Sequence, residues 1–296
     1  MTQPTLTRRR AWYLALRPFS YTTAIIPVLV GTALAASRDF DPVLFLLALA
    51  GSVLILAGTN LATDFFDFVD GVQPGASFGA AIQSGILTPR EVHLASAGAF
   101  FLGALCGLIL VAVAGWPVLA AGVASVLAGY FYTASPIMYG RRGLGELGVF
   151  FFMGPVIVMG AYYVQLEDLT WASFYASLPV GILVANILHA NNLRDIQNDG
   201  ARGKVTISTL VKRPVADYFL WALVLAAFAS VMACVALGAL TVWSLLVLGA
   251  LPAAWMTLRG LGETEPVRLN LLVRNSARLH MHFGLLLALG LVIDAL

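Results

Sequence analysis

Nine apolar stretches follow one another along this chain, and each is about as long as a membrane is thick. They run roughly over residues 18–37, 42–63, 93–114, 116–135, 147–165, 172–192, 214–237, 239–258 and 276–296. A hydrocarbon core about 30 Å thick takes about 20 residues of helix to cross. In that medium each backbone N–H and C=O must be satisfied within the protein, which makes the helix the local solution. Several connectors are short, such as SRDFD (37–41), AGWP (114–117) and LGALT (237–241), and short connectors force antiparallel neighbours. The expected fold is all-α: a polytopic membrane protein with one bundle of nine transmembrane helices, a single domain over 1–296. The composition agrees, being 60% hydrophobic and 11% charged, where a soluble domain has about 45–50% and about 25%.

The charges orient the bundle. With nine crossings, Arg8, Arg9, Arg10, Arg17, Arg90, Arg141, Arg142, Arg194, Arg202, Lys204, Lys212, Arg213, Arg259, Arg268, Arg274 and Arg278 share one side, which is 16 of the 17 Lys and Arg. Arg38 alone falls on the other. An eight-crossing count destroys this one-sidedness. Lys and Arg accumulate in cytoplasmic loops, so the N-terminus is expected inside, the C-terminus outside, and the protein integral to the plasma (inner) membrane. The loops on the basic side (64–92, 136–146, 193–213 and 259–275) are the long polar ones, so the active site is expected at the cytoplasmic face. A net charge of +2, without basic residues interleaved with aromatics, gives no case for nucleic acid. Cys106 and Cys234 sit inside apolar runs and read as small buried hydrophobes. His93, His189, His280 and His282 have no metal-ligand spacing, and His189 reads as a packed polar residue.

Chemistry is concentrated at the ends of two spans. In AGTNLATDFFDFVDG, Asn60, Asp64 and Asp67 stand at i, i+4 and i+7; in HANNLRDIQND, Asn191, Asp195 and Asp199 stand at i, i+4 and i+8. Each set falls close to one helical face, and both close spans on the same side of the membrane, as two halves facing across a central cavity open to the cytoplasm. Four carboxylates so placed repel one another, and a hard divalent cation relieves that. Magnesium takes one or two carboxylates per ion and completes its shell with water and substrate phosphates. The cations nearby (Arg17 in LRPFSY, Arg141 and Arg142 in MYGRRGLGE, Arg202 and Lys204 behind the second cluster) suit phosphate oxygens. Asp70, Glu91 and Glu263 read as solvated helix ends. A metal-bound diphosphate above an apolar cavity suits a polyprenyl diphosphate, with the metal stabilising the leaving group. Tyrosines of GYFYTASPIMY (129–139) and AYY (161–163) offer ring faces to an allylic cation.

At these residues the chain resembles the UbiA superfamily of intramembrane aromatic prenyltransferases, and the likeness runs over nearly its whole length, including LRPFSYTTAIIPVLVGTAL and YTASPIMYGRRGLGELGVFFFMGPVIVMGAYYV. The resemblance implies nine helices and two aspartate-rich motifs, here Asn60 to Asp67 and Asp195 to Asp199. NNLRDIQNDGARGKVTI is most similar to the 1,4-dihydroxy-2-naphthoate polyprenyltransferase branch, through Asn191, Asn192, Arg194, Asp195, Asp199, Gly203, Lys204 and Thr206. Two positions depart from the pattern: Thr63, often Asn, and Gln73, where an acidic residue is usual. The expected Mg2+ ligands are Asn60, Asp64, Asp67, Asn191, Asp195 and Asp199. Asp64, Asp195 and Lys204 are the expected catalytic residues. Arg17, Asn60, Tyr139, Arg141, Arg142, Asn192, Arg194 and Lys204 are expected at the diphosphate or the acceptor. The implied reaction is Mg-dependent prenylation of an aromatic acceptor within the lipid bilayer, most readily 1,4-dihydroxy-2-naphthoate with loss of CO2 to give demethylmenaquinone. Other acceptors (hydroxybenzoate, homogentisate, a lipid phosphate) stay open, as does tail length. From another class, a divalent-cation transporter also uses acidic clusters.

Overall fold

The computed structural model describes residues 7–71 and 80–294. Among the described residues the chain is helical, with no strand. In order it forms α1 (Arg8–Leu16), α2 (Thr22–Ala35), α3 (Pro42–Val69), α4 (Ala80–Gln83), α5 (Pro89–Ala114), α6 (Trp116–Phe131), α7 (Gly145–Phe151), α8 (Ile157–Leu166), α9 (Trp171–Arg194), α10 (Ile196–Ala201), α11 (Ile207–Val211), α12 (Val215–Ala236), α13 (Leu251–Leu258) and α14 (Pro266–Asp294). Tighter 3-10 turns occupy Pro18–Tyr21, Tyr139–Arg141 and Val242–Ala250, and a π-helical turn over Phe152–Val156 joins α7 to α8.

Helix starts carry their own signals. Asp41 Oδ1 accepts from the Val43 and Leu44 amides (2.7 and 3.1 Å), with Pro42 in the first turn of α3. This is the capping arrangement that satisfies the orphan donors of a helix start. Thr88 and Glu91 form a reciprocal capping box on α5, and Thr170 with Ser173 does the same for α9.

Seven of the nine expected crossings are helical segments long and apolar enough to span a membrane: Arg8–Ala35, Pro42–Val69, Pro89–Ala114, Gly145–Leu166, Trp171–Arg194, Val215–Ala236 and Arg268–Asp294. The fourth and eighth expected stretches form apolar helices that are shorter, Trp116–Phe131 and Val242–Leu258. The chain leaves α6 early because its last expected residues run into the turn before Pro136. The eighth begins with nine residues of 3-10 helix, which rises about 2.0 Å per residue against about 1.5 Å for α. It therefore reaches further than its residue count suggests.

The centre of the bundle is α9. Its Val180 and Leu183 pack with Ile26 of α2, Leu220 and Phe228 of α12, and Phe283 of α14, all buried. α9 crosses the π-helical turn at a pair of glycines. A Cβ added to Gly154 would stand 2.7 Å from Gly181 Cα, so the two backbones touch where small residues permit it. The outer surface is apolar, with Phe101, Leu108 and Leu237 exposed. At the end opposite the aspartates, Trp116, Trp171 and Trp243 are exposed near helix starts, the level at which indole rings meet a membrane interface. Arg38 belongs to that end and pairs with Asp168 at 2.9 Å.

Candidate active site

Three cavities that share lining residues lie within the bundle. An interior cavity of about 210 Å³ is lined by Arg17, Asn60, Tyr132, Tyr139, Asn191 and Arg194 together with apolar residues of α3, α6, α7, the π-turn and α9. Above it lies a polar mouth of about 680 Å³ that carries Asp67, Arg141, Arg142, Asp195, Asp199 and Lys204. Asn191 lines both. On the other side, an apolar cavity of about 490 Å³ shares Ser52, Ile55, Ser125 and Ile157 with the interior one.

The first motif is held against the α1–α2 junction. Arg17 sits in the left-handed region (φ 51, ψ 57), which non-glycine residues seldom adopt. This sharp turn aims its guanidinium inward, where it donates to Asp64 Oδ1. One turn earlier on α3, Asn60 Nδ2 donates to Leu16 O and Ser20 Oγ, both at 3.2 Å. Asp64 is buried, and its Oδ2 has no hydrogen-bond partner. Asp67 and Asp70 both receive Arg141, at 2.6 and 2.5 Å.

The second motif straddles a helix break. α9 ends at Arg194, Asp195 leaves helical geometry (φ −97, ψ 8), and α10 restarts at Ile196. Arg194 grips Asp195 with two bonds, Nη2 to Oδ2 at 2.6 Å and Nε to Oδ1 at 3.1 Å, a fork geometry that fixes both partners. Its Nη2 also donates to Asn191 Oδ1 at 2.7 Å. Asp199 receives Lys204 Nζ at 2.8 Å. Burial raises the Asp199 carboxyl above its ordinary value, and the Lys204 charge offsets only part of that rise. The two cationic loops are stitched together: Val205 N donates to Arg141 O (3.0 Å), and Gly143 N to Val205 O (2.9 Å). Arg142 Nη2 donates to Pro136 O at 2.8 Å.

This geometry differs from the sequence expectation of four carboxylates and two asparagine oxygens gathered into a metal shell. Each carboxylate is instead engaged by a cation, and among the described residues no three His, Cys, Asp or Glu converge closely enough to hold an ion. Asn60 turns its amide nitrogen to the α1–α2 junction, and Asn191 gives its oxygen to Arg194. The reason is electrostatic: buried carboxylates need neutralisation, and the nearest guanidinium and ammonium groups supply it. The donor chemistry still fits magnesium. The groups are hard oxygens, the pairs Asp64–Asp67 and Asp195–Asp199 meet its need for one or two carboxylates per ion, and the buried Asp64 Oδ2 has no hydrogen-bond partner.

Asn192 departs further. It was expected at the substrate, yet its Nδ2 donates to Glu146 Oε1 at 2.9 Å and it lines neither cavity. The same Glu146 oxygen lies 3.2 Å from His189 Nδ1, and His189 Nε2 is 2.8 Å from Ala216 O. His189 is thus the packed polar residue the sequence suggested. Glu146 escaped the sequence reading, although an acid opening the apolar run ELGVFFF was a usable signal. Thr63 is buried and donates to Thr59 O at 2.9 Å. Gln73 lies outside the described residues.

Residues 24–269 match the model of the UbiA prenyltransferase family. The chain belongs to that family. It is 30% identical over 287 residues to the 1,4-dihydroxy-2-naphthoate octaprenyltransferase of Bacillus subtilis (strain 168), covering 96% of this chain and 92% of that protein. It is 37% identical over 218 residues to the protein of the same name from Escherichia coli (strain K12), 70% of each. Its fold is similar to that of a UbiA homologue from Archaeoglobus fulgidus bound to GPP and Mg2+, with a TM-score of 0.64 at 16% identity over 94% of this chain and 99% of that one. The chain is therefore an integral membrane prenyltransferase, and the cation-transporter reading falls away.

Proposed function

We propose that this enzyme transfers a polyprenyl group from its diphosphate to 1,4-dihydroxy-2-naphthoate, using Mg2+, at the cytoplasmic face of the plasma membrane. The observation that carries the reading is the adjacency at Asn191: a mouth of carboxylates and cations borders an interior cavity, which in turn shares walls with an apolar one. An amphiphile with a multiply charged anionic head and a long apolar tail matches both halves. The relatives' names supply the acceptor, and the one-sided Lys and Arg distribution supplies the orientation.

In this reading Asp64, Asp67, Asp195 and Asp199, with Asn191, would hold the magnesium ions once their cation partners share or release them; Asn60 fixes the turn that presents Arg17. Bound magnesium screens the diphosphate and stabilises it as a leaving group. Arg141, Arg142 and Lys204 bind the phosphate oxygens, so the head sits in the mouth and the tail runs down past Ser52 and Ser125. The C–O bond to the diphosphate breaks, leaving an allylic cation. Tyr132 and Tyr139, whose rings meet edge to face at 5.3 Å, surround it with π density and exclude water. Burial pushes the Tyr139 hydroxyl up to about 12, so it stays a neutral phenol there. Arg17 and Arg194 face the acceptor carboxylate in the interior cavity. The ring carbon bearing that carboxylate forms the new C–C bond, and CO2 departs.

The test is an acceptor panel with magnesium and labelled allylic diphosphates in proteoliposomes, read by mass spectrometry. The expected product is the prenylated naphthoate ring less CO2. Preferential prenylation of hydroxybenzoate or homogentisate overturns the acceptor, and wild-type turnover by folded Asp64→Asn or Asp195→Asn overturns the site.

A further inference from the structure

A second basic pocket, of about 370 Å³, lies at the acidic end of the bundle on its flank, between the α1–α2 junction and α14. Tyr13, Arg17, Phe19, Arg274, Arg278 and Met281 are among its walls. Arg274 and Arg278 are one helical turn apart and share a face. Both are exposed, and among the described residues neither has an acidic partner. Another arginine of the same helix does have acidic partners: Arg268, near its start, pairs with Glu263 and Glu265 of the preceding loop. In the active site Arg17, Arg141, Arg194 and Lys204 are likewise each engaged with a carboxylate.

What lies beneath the two arginines is equally specific. Met281, Leu285, Leu289 and Val292 are all exposed. With Arg274 and Arg278 they continue one stripe along α14, at successive spacings of four, three, four, four and three residues, the period of a single helical face. The stripe therefore has two cations at the membrane surface and an apolar track running from them into the hydrocarbon. Topology alone asks for arginine at this level. It does not ask that two share one pocket, lack an acidic partner, and stand at the head of an apolar stripe.

We propose that this pocket binds an anionic phospholipid, with its phosphate between Arg274 and Arg278 and an acyl chain along the Met281–Val292 stripe. Basic pockets between transmembrane helices on the arginine-rich side recognise anionic headgroups, and guanidinium forks match phosphate oxygens. The inference does not depend on which acceptor the enzyme uses. Arg17 closes the inner wall of the pocket and faces the catalytic cavity on its other side, so the bound lipid borders the partner of Asp64.

The full chain in mild detergent, titrated with phosphatidylglycerol and with phosphatidylcholine and read by native mass spectrometry, tests this. The wild type retains phosphatidylglycerol preferentially. The Arg274→Gln/Arg278→Gln variant loses that preference roughly thirtyfold, as expected for two interfacial arginines. It keeps wild-type prenyl transfer in vesicles of phosphatidylcholine alone, which shows that it is folded. The Arg274→Lys/Arg278→Lys variant retains part of the preference. An unchanged preference in the Gln variant overturns the proposal. So does displacement of the lipid by soluble pyrophosphate, which assigns the pocket to a free diphosphate instead.

Discussion

Replacing Arg17 with Met tests whether this guanidinium is the counter-charge that lets Asp64 be buried. Methionine keeps much of the side-chain bulk and, being equally non-glycine, carries the same cost at the left-handed backbone of residue 17. The change therefore isolates the charge. Asp64 then has no partner on either oxygen, since Oδ2 already lacks one, and Asn60 is committed to Leu16 and Ser20. Removing one member of a buried ion pair costs roughly 3–5 kcal/mol, because the remaining charge stays desolvated. The Arg17 side chain is 22% exposed and that of Asp64 1%, so some water reaches the vacated space and the lower end, about 3 kcal/mol, applies. The Arg17→Met/Asp64→Asn double variant removes both charges and recovers most of that loss. SDS unfolding in mixed micelles, without magnesium, on the wild type, both single variants and the double gives the coupling directly. A coupling under about 0.5 kcal/mol, the size seen between independent sites, refutes the reasoning. Magnesium with an unreactive diphosphate analogue stabilises both proteins by mass action, and stabilises Arg17→Met more, because its Asp64 has no cation to release.

Ser52→Phe or Ser125→Phe fills the junction between interior and apolar cavities, so turnover with an eight-isoprene donor falls well below turnover with geranyl diphosphate; equal loss with both donors counts against the tail path. Glu146→Ala leaves the Asn192 amide and the His189 ring without their acceptor, at about 1–3 kcal/mol for each stranded group, whereas Glu146→Gln keeps an acceptor oxygen and most of the stability; equal unfolding free energies for the two variants refute this. Lys204→Met removes the charge that opposes burial at Asp199, so that carboxyl rises further above its ordinary value. A raised carboxyl favours the fold at acidic pH, and that stability is lost as pH rises through the folded value. The variant should therefore fall behind the wild type across the carboxylate range in a thermal-unfolding series, and parallel curves contradict the assignment.

The sequence made the helices legible because twenty-residue apolar runs admit one local solution in lipid. The 3-10 winding of Val242–Ala250 and the π-turn at Phe152–Val156 were not legible, because both depend on what the neighbouring helices allow; Gly154 needs Gly181 opposite it before its meaning appears. The two aspartate motifs were visible as spacing. Their partners were not, since Arg17 lies 47 residues from Asp64, and Arg141 lies 74 from Asp67. Asn192 turns away from both cavities for a simple reason. Adjacent residues on a helix point about 100° apart, so Asn191 can face the cavity only if Asn192 faces Glu146.

The pairing of every motif carboxylate with a cation bears on how the proposed site works. A cluster of bare carboxylates would hold metal but would leave nothing close by to receive a diphosphate. A cluster already paired with Arg17, Arg141, Arg194 and Lys204 has both halves of the substrate's requirement side by side. The carboxylates suit the metal, and the cations turn to substrate anions by rotating about their own side chains, Arg141 and Lys204 to phosphate oxygens and Arg17 to the acceptor carboxylate. Three of the four cations sit where they can do this. Arg17 is at a strained turn outside regular helix, while Arg141 and Lys204 lie on loops joined by the Arg142–Val205 bridge. Arg194 is the exception, held by Asp195, Asn191 and Asn270 at once. It is therefore the fixed post about which Asn191 and Asp195 keep their places when the other three exchange partners. Arg194→Lys, which retains the charge but loses the fork, should accordingly weaken metal and donor binding together, while Arg141→Lys should weaken donor binding alone. Calorimetric titration of each variant with magnesium, before and after an unreactive diphosphate is added, separates the two effects, and identical losses in both variants would remove the distinction.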